Sequence, residues 1–383
     1  MFTRIITSLA LAVMCLSCSP KYVKPAVAAS TEPAENANVE FALSFFKNTN
    51  QTTSAGENLV VSPYSAAVAL SMLEEGAEGQ TKAEFAKALC GRLYAAEDLG
   101  GGKDLTVKSA NSLWISNNFS VRNRYVGLLQ KDYDAFVDTP DFSDPSTVKE
   151  INNWCSEHTA GKINEIIDRL SPNDVMVLIN ALYFNAPWAN AFSEQGTVNA
   201  TFHAVGGDKS VPMMYRSGNY EYTEYEGCQI IRLPYQGERY SMVIVLPENI
   251  SEAMSHLNTS SFEAALSGLR MQEVAFRMPK FRLETSLVLD KALKNMGLKT
   301  AYSPAADFSG ISESGPLSLG TVKQKCYIDV SEKGTEAAAV TSAQIRLTAV
   351  SRTQRMTVDR PFLFFIVDAQ TNNILFIGKI VNL

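Results

Sequence analysis

Histidine is scarce in this chain. Only His158, His203 and His256 occur in 383 residues, and none stands in an H-E-x-x-H or other metal-ligating spacing. No G-x-S-x-G elbow is present, which removes the usual signature of an α/β-hydrolase nucleophile. The run "GGGKD" lacks the upstream glycine of a phosphate-binding loop and reads as an ordinary loop. Lys and Arg form no block, and the net charge is -6, which argues against nucleic acid as a partner. The one long apolar stretch lies at the N-terminus and is too short to span a bilayer. Beyond that stretch Cys90, Cys155, Cys228 and Cys326 are widely separated, with no C-x-x-C pair, and read as buried thiols rather than metal or redox ligands. If the chain is exported, one structural disulfide among them is the alternative. A Ser/His/Asp triad gathered from distant positions remains the alternative enzymatic reading.

What is present is a globular composition, 46% hydrophobic and 19% charged, long enough for one large domain or two average ones. The start, "MFTRIITSLALAVMCLSC", has Arg4, about twelve mostly apolar residues and then Ser17-Cys18, the pattern of a secretory signal peptide over residues 1–17. A small residue followed by cysteine resembles the bacterial lipobox, which makes Cys18 the expected lipidation site. Cys15 stands where lipoboxes usually carry Leu, so cleavage further on, or at another cysteine, is the alternative. Residues 18–37 are rich in Ala, Pro and Ser and read as a tether.

The body follows from residue 38 without an internal repeat or linker. Ser62 and Pro63 open a helix that Gly76 can end. Thr81 and Glu84 have the spacing of a capping box, and Asp144-Pro145 opens another helix that Gly161 stops. "VMVLINALYF" (residues 175–184) reads as a strand buried on both faces. "QIIRLPY" and "YSMVIVLP", joined by "QGER", read as a hairpin, and "EVAFRMPKFRLE" alternates as one half-buried strand. Helices dominate the first 170 residues and strands the rest, which indicates one α+β domain built on large sheets.

Five segments then fall in a familiar order: "NLVVSPYSAAVALSMLEEGAEGQT", "LINALYFNAPW", "DFSG", "EKGTEAAAVT" and "DRPFLFFIVDAQTNNILFIGKI". Together they resemble the serpins, over about residue 38 to the C-terminus. The resemblance implies three β-sheets, eight to nine helices and an exposed reactive-centre loop, here about residues 332–357. It implies a monomeric inhibitor, not an enzyme, with no metal or cofactor. Its partners are target proteases held in a covalent complex, and any contact with a membrane is made through the N-terminal anchor. The location implied is the bacterial envelope or the outside of the cell.

By the same resemblance Glu332 is the base of the loop and Lys280 its partner. Trp188 packs beside them, and Ser62, Ser65 and Asn180 lie under the centre of the largest sheet. Gln324 stands there where the family often has histidine. Gly334 supplies a hinge, and Thr335, Glu336, Ala337, Ala338, Ala339, Val340 and Thr341 form a hinge strand able to enter the sheet. Thr335, Ala337, Ala339 and Thr341 share one face, uncharged and small, as insertion beside a packed core requires. Counting about seventeen residues from Glu332 places the cleaved bond at Thr348-Ala349. Counting back from "RPF" gives about Val350, and Arg352 is a further alternative. Thr348, Ala349 and Val350 suit elastase-like pockets, whereas the arginines suit trypsin-like ones. A non-inhibitory serpin, acting as a binding or chaperone module, is the competing function.

Overall fold

Ser62 accepts a hydrogen bond from the Ser65 N–H at 3.3 Å, and Pro63 takes the first helical position, where its missing N–H costs nothing. In the computed structural model, which describes residues 36–95, 99–100, 105–170, 174–335 and 353–383, this is the second of eight α-helices. They are α1 (Ala37–Asn50), α2 (Pro63–Glu75), α3 (Gly79–Ala88), α4 (Asn123–Tyr133), α5 (Ser146–His158), α6 (Ile250–His256), α7 (Thr259–Ser267) and α8 (Asp290–Asn295). The expected signal peptide, most of the tether, Cys18, the hinge from Glu336 to Thr341 and the bait at Thr348, Ala349, Val350 and Arg352 lie outside the described residues.

Gly76 ends α2, and it does so with a right-handed φ of -98°. It is glycine for lack of room, since a Cβ there would overlap the Ile311 side chain. The capping box expected at Thr81 and Glu84 does not form. Helix α3 starts earlier, at Gly79, so Thr81 and Glu84 lie within it and serve other segments. Thr81 Oγ1 accepts from the Asp307 N–H (2.9 Å), and the Glu84 carboxylate accepts from the Lys299 and Thr300 N–H groups, both at 2.8 Å. Asp144 accepts from the Ser146 N–H (2.8 Å), and positive φ angles at Ala160 and Gly161 turn the chain away after α5.

The strands are β1 (Leu59–Val61), β2 (Thr106–Ile115), β3 (Ala135–Asp138), β4 (Met176–Pro187), β5 (Val198–Ala204), β6 (Gly207–Tyr225), β7 (Cys228–Pro234), β8 (Tyr240–Pro247), β9 (Arg270–Pro279), β10 (Phe281–Val288), β11 (Lys323–Ser331), β12 (Gly334–Thr335), β13 (Gln354–Thr357), β14 (Phe362–Asp368) and β15 (Ile374–Ile380). Hydrogen bonding gathers them into two networks. One runs β1-β15-β14-β8-β7-β6-β9-β13, with β5 also on β6; the other runs β10-β11-β12-β4-β2-β3. The 19-residue β6 pairs with β5, then β9, then β7, so two of the three expected sheets share a strand. The alternating run "EVAFRMPKFRLE" is two strands rather than one. β9 ends at Pro279, and β10 begins at Phe281 in the other network. β14 and β15 are buried throughout, as their continuous apolar sequence requires.

Candidate functional site

β11 alternates buried and half-buried residues, turns through Glu332 and Lys333, and returns as β12. Gly334 at this return has φ +154°, and a Cβ there would overlap the Ala186 carbonyl oxygen, so no side chain fits. The segment after β4 grips the turn. The Trp188 N–H donates to Lys333 O and its indole Nε1 to Ser331 O, both at 2.9 Å, and the Phe192 N–H donates to Glu332 O at 2.8 Å. Glu332 is buried, with Lys280 Nζ at 2.8 Å and Thr197 Oγ1 donating at 2.8 Å. Burial alone would raise its pKa. The hydrogen bonds from Lys280 and Thr197 outweigh that and hold the carboxyl below its usual value.

The predicted partners Glu332, Lys280 and Trp188 therefore do meet. Thr197 and Phe192 join them, and neither carries a motif that sequence could flag. Tyr235 joins too. It stacks on Trp188 at 4.5 Å, and its hydroxyl lies 2.7 Å from Thr335 Oγ1.

β12 pairs antiparallel with β11 on one side, Thr335 opposite Val330, and with β4 on the other, Thr335 opposite Ala186. β4 and β11 are therefore parallel to each other and held apart by a two-residue strand at one end. Among the described residues no ladder joins them further down. A cavity of about 680 Å³ opens there, lined by Met176, Leu178 and Asn180 of β4, Lys323 and Gln324 of β11, and Leu70 of α2.

Ser62, Ser65, Asn180 and Gln324 gather at this slot in two groups. Gln324 grips Ser62 twice, accepting from its N–H (3.1 Å) and donating to its carbonyl (2.9 Å). Asn180 accepts from the Ser65 hydroxyl and donates to Ser109 Oγ (3.1 Å) and Asn111 Oδ1. Asn111 in turn donates to Tyr133 O at 2.6 Å. No hydrogen bond joins Asn180 to Gln324 among the described residues. Among the polar residues here, the N-terminal turn of α2 touches both banks of the slot, Gln324 through Ser62 and Asn180 through Ser65. Ser109 and Asn111 carry no sequence signal of their own.

The outer face of the slot is bridged. Ile151 and Cys155 of α5 pack with Trp114, Ile179 and Ala181 on β2 and β4. From this base Lys162 reaches over the Tyr327 ring (5.0 Å), and Asp168 pairs with Lys323 (2.5 Å), both on β11. Cys90, Cys155, Cys228 and Cys326 are free thiols; burial pushes Cys155 up to about 11 and Cys326 up to about 12. The histidines lie elsewhere. His158 stacks on Trp154 at 4.2 Å, and His203 pairs with Asp208 at 2.8 Å.

The two described ends of the expected loop lie in different sheets. Thr335 is in the six-stranded network, and Gln354 opens β13, parallel to β9 at the edge of the other. The open slot between the parallel strands β4 and β11 lies at the Thr335 end. Comparison with known proteins agrees with that geometry. A family model described as Serpin (serine protease inhibitor) matches residues 36–383. The chain is 35% identical over 370 residues to an uncharacterized serpin-like protein of Thermococcus kodakarensis, covering 92% of this chain and 86% of that one. It is 32% identical over 377 residues to the leukocyte elastase inhibitor of Sus scrofa, covering 91% of this chain and 99% of that one. Among solved structures, the native state of the thermophilic serpin tengpin matches with a TM-score of 0.82 at 30% identity, over 92% of this chain and 96% of that one. On the motifs, the slot and these matches together, the chain belongs to the serpin family.

Proposed function

We propose that the chain inhibits serine proteases, and by extension papain-like cysteine proteases, as a suicide substrate. The protease attacks the loop and forms an acyl-enzyme. The freed hinge then enters the slot between β4 and β11 and carries the protease with it. The observation that carries this reading is β12, already seated between the two strands with the slot open beneath it. Extending its register brings Ala337 beside Phe184 and Ile328, Ala339 beside Leu182 and Cys326, and Thr341 beside Asn180 and Gln324. Those neighbours of Ala337 and Ala339 are buried, so the arriving side chains have to be small. Ala343 and then Ile345 follow on the same face and arrive at Leu178 and Met176, which line the cavity. Small residues thus meet the packed end of the slot and a larger one meets the empty end. About fifteen inserted residues at ~3.3 Å each would move the protease roughly 50 Å.

Thr348-Ala349 is the proposed bond, with Val350 and Arg352 as alternatives. The elastase inhibitor named among the relatives favours the small side chains. Incubation with pancreatic elastase should give an SDS-stable complex and release a fragment beginning at Ala349. Complete cleavage without a complex would instead leave a non-inhibitory serpin. The proposal includes export, with residues 1–17 removed and Cys18 lipidated at the bacterial envelope. Cells fed labelled palmitate should label the wild type and not Cys18→Ser; label on both would refute the anchor.

A further inference from the structure

A two-residue strand is too short to hold itself in a sheet by backbone bonds alone. β12 is such a strand, and its one inward side chain is Thr335, 1% exposed. The Thr335 hydroxyl meets the Tyr235 hydroxyl at 2.7 Å, and among the described residues neither makes another hydrogen bond. Tyr235 is itself fully buried and held on three sides. Trp188 stacks on it with ring planes 10° apart, Phe184 meets it edge-on at 5.0 Å, and the Tyr235 N–H donates to Tyr240 O at 2.9 Å. It belongs to the β7–β8 connection, which is tied to the end of β4 by the Gln236 N–H donating to Pro187 O (2.8 Å) and the Ala189 N–H donating to Pro234 O (2.9 Å). The hydroxyl therefore sits at a fixed point between the two sheets and cannot follow Thr335 if the hinge moves.

We propose that Tyr235 is a positioning residue for inhibition: its hydroxyl seats Thr335 before any protease arrives and fixes which face of the hinge turns inward. The role rests on the inhibitory reading above. A strand entering one residue out of register would turn Glu336, Ala338 and Val340 to the core and bury a carboxylate at its first step. The seat excludes that register. After acylation, insertion competes with hydrolysis of the acyl-enzyme, and a hinge already seated in register starts ahead.

The test is a double-mutant cycle read as the stoichiometry of inhibition against pancreatic elastase. Tyr235→Phe and Thr335→Val each strand one buried hydroxyl, whereas the double variant removes both. Each single change should raise the partition ratio, the molecules of inhibitor cleaved without trapping per elastase trapped, by about fivefold, the size of one net buried hydrogen bond. The double variant should return to within about twofold of wild type, because an apolar pair of similar shape replaces the polar one. Thr335→Val lies at the loop base and preserves shape, so it reports even if Tyr235→Phe folds poorly. Single variants that partition like wild type, or a double variant no better than the worse single one, would overturn the assignment. A wild type that forms no covalent complex is a different result and refutes the inhibitory reading itself.

Discussion

Glu74 is 6% exposed near the end of α2, and among the described residues its Oε2 atom has no hydrogen-bond partner. Burial raises its pKa to about 7; Lys82 opposes the shift and Glu75 adds to it. The folded state therefore binds this proton more tightly than the unfolded chain does. The associated stability is present below the unfolded value of 4.5 and is lost as pH rises through about 7. Glu74→Gln should be about 1–3 kcal/mol more stable relative to wild type at pH 8 than at pH 5, read from urea midpoints. An equal difference at both pH values would show that the carboxylate is solvated. In the sequence Glu74 sits in "LEEG" and looks like an exposed helix end. Gly334, Glu332 and Trp188 were legible because they stand inside family motifs, and Lys280 because the family resemblance pairs it with Glu332. Tyr235, Asn111 and Thr197 were not, because each acts through distant partners that no local pattern encodes.

At the level of elements, periodicity found β4 and the β7–β8 hairpin, whose pairing the structure bears out, and gave no sign of β2, β3, β5 or the long β6. The alternation along β11 has a structural reason, a buried row of Gln324, Cys326, Ile328 and Val330 along one face. β9 and β10 looked like one strand because the alternation continues almost unbroken across Lys280. What separates them is tertiary: β9 runs beside β6 and β10 beside β11, so the chain changes sheets at Pro279. Lys280, the residue at that crossing, is the one that pairs with Glu332. The capping box failed for a related reason. Thr81 and Glu84 had the right spacing, but their hydrogen-bonding groups serve Asp307, Lys299 and Thr300 instead. The open slot was the least legible feature, since a gap between strands leaves no mark on either strand's sequence.

For the whole molecule, the slot leaves packing contacts unmade. The cavity beside β4 forgoes contacts that a further strand would supply, and among the described residues β4 and β11 lack a ladder below Thr335. On the proposed mechanism, cutting the loop lets that strand form. The cleaved protein should melt about 20 °C higher than the uncut one, on the order of 15 kcal/mol for a chain of this size. A midpoint unchanged by cleavage would mean that the freed end stays outside. The uncut state would then be stable in its own right rather than held by a barrier.

On the proposed mechanism, the two anchors of the loop set how the inhibitor protects. Thr335 is fixed between β4 and β11, and Gln354 is fixed on the edge of β9. Hydrolysis between them leaves two chain ends, and insertion of one end separates them by tens of ångströms, about the reach of a fully extended hinge. The peptide bond cannot be remade across that distance, so trapping does not relax toward a binding equilibrium. Protection is then governed by supply. Each molecule answers one cleavage, and raising its affinity for a protease would matter less than raising the number of copies where the protease arrives.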